Sequence, residues 1–492
     1  MPRPPVAGPV HGWLVGFVVW LLVAWPGAAA ARPSFVFVLV DDMDFAALQW
    51  MPSTRELLGG GGLDFRRAYV EVALCAPSRA SYLTGRYAHN TGVLTVDNAN
   101  GGYRQWRRNG HERSNLATAL HAAGYRTALI GKYQNGFPDN QPETYIPEGW
   151  DYWAVAVQRG DAPYRQFNYK LNVNGSLVRY GSSAAAYGTD VYAGKAREFI
   201  RQSAAARKDF FLFLSLFAPH SPSTAAPRHA GIFANARVPR TPSFAESDIS
   251  DKPSFLRGNR LDQAAIALLD RDYAQRLRAL RAVDEAVRSI HDTLKAAGRL
   301  DDTYIIFASD NGYHGGHHQQ PAGKQLPYEE DIHVPLLIRG PAVAAGRSDS
   351  DHIIGNIDLA PTIARLAGIP ALPGADGRSF AGLLGGGATT AGWRQSLKIA
   401  RWRSPSAAGD PIPAFRGVRT TRYTWVEWAN GERELYDNLR DPHQLANLAA
   451  DPASAGRRAQ LARLAADLAS CAGAACRKVE NRPWVEPAAG DH

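Results

Sequence analysis

Cysteine is scarce: three residues in a chain of 492. That excludes a scaffold held together by many disulfides and leaves each thiol to be explained singly. Lysine is scarce too, nine residues against 46 arginines, which with the abundant Ala and Gly reads as a GC-rich genome. No basic block interleaved with aromatics is present, so the net charge of +9 carries no nucleic-acid signal, although it suits an anionic substrate. No disordered tract of any size occurs, and 45% of the residues are hydrophobic. The chain therefore has enough apolar surface for one large domain and a smaller one.

A membrane span is not expected either, although a transmembrane anchor is the alternative reading of the N-terminal apolar run. Arg3 precedes the apolar run of residues 12–25, then Pro26-Gly27 and a small-residue run from Ala28 to Ala31. Spanning needs about 20 apolar residues, and Pro26 cuts this run short. Basic, apolar and small segments in that order predict a signal peptide, residues 1–30, and a secreted, extracytoplasmic protein. In an oxidising compartment Cys471 and Cys476, which bracket four small residues, are expected to form a local disulfide. Cys75 is then left over.

What the chain does have is a series of strand-length apolar runs that end in polar groups. FVFVLV (35–40) runs into Asp41-Asp42, RTALIG (126–131) into Lys132, FFLFLSLF (210–217) through Ala218-Pro219 to His220, and TYIIFAS (303–309) into Asp310-Asn311. Near-continuous β-rich runs predict strands buried on both faces. Helical patterns lie between them: one capped by Ser114, others at 190–208 and 261–298, and one after Asp358 as cap. Residues 333–341 read as another buried strand and 221–260 as a long inserted loop. The fold expected over 31–390 is α/β, a large, mostly parallel sheet flanked by helices. Beyond a boundary near 390 the texture alternates, with Asn430-Gly431 as a type I′ hairpin turn, predicting a smaller antiparallel sheet plus a helix at 455–470 in 391–492.

Ligands of open α/β sheets bind beyond the carboxyl ends of the strands. Four runs deliver Asp41, Asp42, Lys132, His220, Asp310 and Asn311 to that edge. Any of them alone is an ordinary cap, turn or solvated side chain, but their coincidence points to a site. Oxygen donors without a thiolate fit a hard divalent cation, calcium or magnesium. A rival is zinc on His314, His317 and His318 in HGGHHQQ, weakened by its Gly-Gly spacer and missing fourth ligand. Pro77 suits the first turn of a helix and Gly85 its end, which places Cys75 at a helix N-terminus with Arg79 one turn on. That setting predicts a thiol pKa below its ordinary value of about 8.5. A cysteine hydrolase with His220 as base is one reading, though a thiolate gains nothing from a hard cation.

CAPSRASYLTGR, residues 75–86, resembles the sulfatase motif C-x-P-S-R-x-x-x-L-x-G-[KR] at every fixed position. VDDMD, GKYQNG, APHSP and SDNGYHGGHH…AGK resemble that family's other blocks, in its order, and the likeness runs from about Phe35 to the terminal cysteine pair. GKYQN, APHSPSTAAPRH and LPYEEDIHVPLLIRGP are most similar to the glucosamine-6-sulfatase branch. The resemblance implies an alkaline-phosphatase-like mixed sheet and the hydrolysis of sulfate monoesters, with sugar 6-sulfates first. It implies oxidation of Cys75 to Cα-formylglycine (3-oxoalanine) by a formylglycine-generating enzyme before folding. One hydroxyl of the hydrated aldehyde would attack sulfur, and the other would allow release of sulfate.

It further implies one calcium ion on Asp41, Asp42, Asp310, Asn311 and an oxygen of modified Cys75. Arg79 would hold the diol, Lys132 and Lys324 would grip sulfate oxygens, and His220 would assist the leaving oxygen. Many sulfatases carry histidine two positions after the motif lysine, where this chain has Gln134. A sulfated carbohydrate would meet the polar segments 97–111, which include Asn98, together with 221–260 and 314–320, with Tyr103, Trp106 or His314 at the sugar ring. The alternatives are an arylsulfatase of broad specificity, a phosphonate or phosphate ester hydrolase, and an inactive sugar-sulfate-binding protein.

Overall fold

The computed structural model describes residues 1–9, 32–97, 99–386, 391–405 and 409–483. Most of the expected signal peptide, Asn98, and residues 387–390 at the expected domain boundary lie outside the described residues. Residues 32–492 form one unit and residues 1–31 another.

The apolar runs form a ten-stranded sheet. In chain order its strands are β1 (Ser34–Val40), β2 (Leu63–Phe65), then β4 (Arg126–Gly131), β5 (Tyr152–Ala156), β6 (Lys170–Val173), β7 (Ser176–Arg179), β8 (Phe210–Ser215), β9 (Thr303–Ser309), β10 (Leu336–Arg339) and β11 (Arg347–Asp349), while the short β3 (Ala68–Tyr69) pairs elsewhere with β12 (Ile354–Gly355). The spatial order is β11-β2-β10-β9-β1-β8-β4-β5-β6-β7. The five central strands, β9 to β5, run parallel, and antiparallel strands flank them on both sides. The sheet is therefore mixed with a parallel core.

Alternation along β1 explains why both faces are covered. Phe35, Phe37 and Leu39 join Phe211, Phe213 and Leu129 under helices Cys75–Thr84, Leu116–Ala122 and Leu359–Leu366. Val36, Val38 and Val40 join Leu212, Leu214 and Ile130 under helices Gly188–Ala205 and Gln263–Ala296. No helix among the described residues is long and apolar enough to cross a membrane.

Strands β13 (Ser396–Arg401), β14 (Phe415–Thr420), β15 (Tyr423–Trp428) and β16 (Arg433–Asp437) make an antiparallel sheet backed by helix Ala455–Ala469. Trp425, Val418, Leu461 and Leu468 share one core with Cys471 and Cys476, which are bonded to each other.

Three local expectations are corrected. Residue Asn115, not Ser114, caps helix Leu116–Ala122, because its Oδ1 accepts from the Ala117 and Thr118 N–H groups while Thr118 Oγ1 returns a bond. Asp358 makes no side-chain cap; its oxygens take the Gly355 N–H and the Arg394 guanidinium. The β15–β16 loop is not type I′, since Gly431 has a positive φ of 90° and Asn430 does not. The type I′ turn lies instead at Asn174-Gly175, with φ of 49° and 87°, which joins β6 to β7.

Candidate active site

Because β9, β1, β8 and β4 are parallel neighbours in near-level register, their carboxyl ends open at one edge. Val40 pairs with Ser309, Leu39 with Ser215, and Ser215 with Gly131. Asp41, Asp310 and Lys132 lie one residue beyond Val40, Ser309 and Gly131, and His220 lies five residues beyond Ser215. A regular strand would turn Asp41 and Asp42 to opposite faces. Asp42 adopts φ of 67°, a left-handed conformation that Asp tolerates, and both carboxylates reach the same cluster. Gly131, with φ of 105°, is needed where β4 turns into Lys132, since a Cβ there would lie 1.9 Å from the Ser215 carbonyl oxygen.

Cys75 starts the helix Cys75–Thr84, which closes at Gly85 with φ of 70°. Its Sγ lies 3.3 Å from Asp41 Oδ1 and 3.8 Å from Asp42 Oδ1, and Lys324 Nζ donates to it at 2.8 Å. Lys324 also donates to Asp42 Oδ1. Lys132 Nζ donates to Asp41 Oδ2 at 2.6 Å. Arg79 Nε donates to Asp310 Oδ2 at 2.7 Å, and Nη1 to Ser215 Oγ. Asp310 Oδ1 accepts the Asp42 N–H at 3.1 Å, and Asn311 Nδ2 donates to Asp42 Oδ1 at 2.8 Å. His220 Nε2 lies 3.6 Å from Asp42 Oδ2. Nine predicted residues thus converge on one buried cluster.

Electrostatics divides the carboxylates. Burial pushes Asp41 upward, but Lys132, His220 and Arg79 outweigh it and hold the group well below the usual range. Burial likewise opposes, and Lys324 with His220 overcomes, at Asp42, which is also lowered. Asp310 goes the other way: burial, then the charge on Asp41, push it up to about 7. Lys132 is raised: burial opposes this and Asp41 prevails. The thiol expectation is corrected. Burial and then Asp41 push Cys75 far up, because the helix terminus and lysines are outweighed by desolvation and a carboxylate in contact. A cysteine-thiolate hydrolase is disfavoured by its own surroundings.

The donor set fits a hard cation. Three carboxylates are all but fully buried, and Asn311 Oδ1, also buried, has no hydrogen-bond partner among the described residues. Ligand atoms of Asp41, Asp42, Cys75 and His220 lie within 4.8 Å of one another. The histidine-rich rival does not assemble. Each ring faces its own carboxylate: His314 Nδ1 lies 2.8 Å from Asp331 Oδ1, His317 Nε2 3.7 Å from Glu330 Oε1, and His318 Nδ1 2.6 Å from Glu246 Oε2.

His314 is buried, and Asp331, which it contacts, also accepts the Leu326 N–H, so the pair braces the loop carrying Lys324. Tyr103 and Trp106 are fully buried in helix Gly102–Arg108, bonded to Glu112 and Tyr133, and cannot stack on a sugar. Gln134 is buried, and neither polar atom of its amide finds a partner among the described residues.

Sequence reasoning missed three residues. Ser215 anchors Arg79, and as the lone hydroxyl in FFLFLSLF it carried a signal. Tyr164 packs against His220 with the ring planes tilted by 50° and the centroids 4.6 Å apart, and its ring centroid lies 5.2 Å from Lys132 Nζ; it belongs to no recognisable motif. Arg276, buried in the long helix, donates to the Asp42 carbonyl oxygen and looked like one of many surface arginines.

Comparison with known proteins matches this architecture. The sulfatase family model covers residues 33–369, and a model described as N-sulphoglucosamine sulphohydrolase, C-terminal, covers 316–470. The N-acetylglucosamine-6-sulfatase of Capra hircus is 33% identical over 493 aligned positions, covering 92% of this chain and 86% of that protein. The extracellular sulfatase SULF-1 homolog of Drosophila melanogaster is 38% identical over 363 positions, 73% of this chain but 32% of that longer protein. A solved structure of a protein in complex with its substrate D-glucosamine-2-N,6-O-disulfate superposes with a TM-score of 0.74 at 24% identity, over 92% of this chain and 99% of that one, and shows the shared fold. With the cysteine motif, the parallel strand ends and the buried acidic cluster all in place, the chain belongs to the sulfatase family and is an enzyme that hydrolyses sulfate esters.

Proposed function

We propose that this enzyme removes a 6-sulfate from an amino sugar, with Cys75 matured to formylglycine and one calcium ion at the acidic edge. The observation that carries the chemistry is the position of Cys75 Sγ, against Asp41 and Lys324 and one helical turn from Arg79. The substrate reading is supported by the relative named N-acetylglucosamine-6-sulfatase, aligned along 92% of this chain.

Asp41, Asp42, Asp310 and Asn311 Oδ1 would hold the cation, which supplies charge to draw a sulfate oxygen, and the modified residue supplies paired hydroxyls on one carbon. The chain's own groups do the rest. Arg79, fixed by Asp310 and Ser215, orients the group at position 75. The ammonium groups of Lys132 and Lys324 draw the remaining sulfate oxygens as point charges. His220, held by Tyr164 and by Asp42, is placed to give its proton to the departing alcohol oxygen.

Because Cys75 is only 1% exposed, its oxidation by a formylglycine-generating enzyme has to precede folding. We also propose export through the segment 1–30 and a functional division near residue 390. The substrate reading is tested by kcat/KM on 6-sulfated N-acetylglucosamine against para-nitrophenyl sulfate. A higher value for the sugar is expected. An aryl ester that is hydrolysed while the sugar is untouched would leave an arylsulfatase in its place.

A further inference from the structure

Two consecutive aspartates reach one cluster because the second leaves the strand conformation. Asp42 has φ of 67°, and a non-glycine residue stays in that region when its surroundings fix it there. Its N–H donates to Asp310 Oδ1 at 3.1 Å, and the next N–H, that of Met43, donates to Ser309 Oγ at 2.9 Å. Both acceptors belong to β9 and the residue after it. The Asp42 carbonyl oxygen is held from another element. It accepts from Nη2 of Arg276, in the helix Gln263–Ala296.

Arg276 is 3% exposed and forms no ion pair among the described residues. Its contacts go to the strand ends instead. Nη1 lies 3.5 Å from the carbonyl oxygen of Pro219, the residue before His220. The guanidinium carbon sits 3.7 Å from the ring centroid of Tyr313, two residues beyond Asn311. One side chain therefore touches the segments that leave β1, β8 and β9. A guanidinium buried without a carboxylate partner costs stability, so an ion pair does not account for its placement. Arg276 also borders a cavity of about 240 Å³, lined in part by Asp44 and Asp272. Removing the guanidinium would open the Asp42 carbonyl to that space and to water, which imposes no fixed geometry.

Resting on the reading of the acidic edge as a calcium site, we propose that Arg276 is a positioning residue for the sulfatase reaction, with Tyr313 as its brace. It holds Asp42 in the left-handed conformation that lets Asp41 and Asp42 face one cation, and it keeps the approach to His220 in register with them. It touches neither substrate nor cation. Without it the left-handed Asp42 becomes a minority conformer, and calcium affinity falls by the fraction that stays competent.

The test is calcium binding to chelator-treated enzyme by titration calorimetry, with kcat and KM on para-nitrophenyl sulfate alongside. Arg276→Met should weaken calcium by about tenfold or more. At saturating calcium it should lower kcat and leave KM within about twofold, since no substrate contact is lost. Arg276→Lys, which keeps a donor for the Asp42 carbonyl, should recover most of the affinity. Tyr313→Leu removes only the stack and should weaken calcium by about threefold; with Arg276→Lys it decides the matter if Arg276→Met does not fold. Leu280→Ala, a buried position one turn along the same helix, is the control for destabilisation alone. It should lower the melting temperature and leave calcium affinity and kcat unchanged where the enzyme is folded. Unchanged affinity and kcat in the Arg276 and Tyr313 variants, or equal losses in Leu280→Ala, overturn the inference while the calcium reading stands. A wild type that binds no calcium and keeps full activity in chelator removes the calcium reading instead. In that case a kcat loss in the Arg276 and Tyr313 variants, absent from Leu280→Ala, upholds the role at His220, and no loss overturns it.

Discussion

Replacing Lys324 with alanine separates two roles of one ammonium group. In the structure its Nζ contacts Asp42 and lies 2.8 Å from Cys75 Sγ, with 14% of the side chain exposed. Burial opposes its charge, but Asp42 and then position 75 raise its pKa, so it is cationic throughout the working range. Deleting one partner of a buried pair costs about 3–5 kcal/mol, because the other charge stays behind. The slight exposure of Lys324 puts the expected loss at the lower end, about 3 kcal/mol, in chelator. Added calcium neutralises Asp42 in its place and should restore most of the melting temperature. Activity behaves differently. Loss of a preorganised contact to a developing negative charge costs about 3–4 kcal/mol, or about 10²–10³ in kcat, and calcium does not replace it. The assay is melting with and without calcium alongside steady-state kinetics on a nitrophenyl ester. A Lys324→Ala enzyme with wild-type kcat, or one whose activity recovers with its stability, would refute this division of labour.

Calcium should stabilise the fold more at about pH 8 than at about pH 5. Asp310 is raised from 3.8 to about 7 by burial and Asp41, so its contribution is complete below 3.8 and lost as pH rises through about 7, where its charge becomes a penalty that a cation relieves. An equal calcium-induced shift in melting temperature at both pH values would contradict this. The Cys75→Ser enzyme should transfer sulfate to itself at most once, because a serine ester lacks the second hydroxyl needed for release; sustained turnover would sink that expectation. Breaking the Cys471–Cys476 bond by paired serine substitution should cost about 2 kcal/mol or less, since a loop this short removes little entropy from the unfolded chain, and should leave kcat unchanged.

Much of the site was legible because it hangs on strand ends. Short β-branched and aromatic runs such as FVFVLV read as buried strands, and parallel neighbours deliver whatever follows them to one edge. Asp41, Lys132 and Asp310 were therefore placed there by run length and composition, while their roles came from the resemblance to the sulfatase motifs. Local chemistry was less readable where two neighbours compete for one role. Asn115 took the cap from Ser114 by offering an acceptor to two N–H groups at once. Asn-Gly made its type I′ turn at 174–175, where a two-residue loop demands it, and not at 430–431, where a four-residue loop does not. The Cys75 thiol was misjudged because a helix N-terminus is visible in sequence and the desolvation around it is not. Tyr164 and Arg276 reach the site from loop and helix through tertiary packing, which no spacing rule encodes.

The account turns on the state of residue 75, and one mass measurement addresses it directly. Trypsin cleaving after Arg67 and Arg79 releases residues 68–79, AYVEVALCAPSR. From enzyme produced with its maturation machinery, and shown active on a sulfate ester, this peptide should appear about 18 Da lighter than its cysteine form and resist alkylation, as conversion of thiol to aldehyde requires. Fully active enzyme whose peptide carries only an alkylatable cysteine would contradict the central claim.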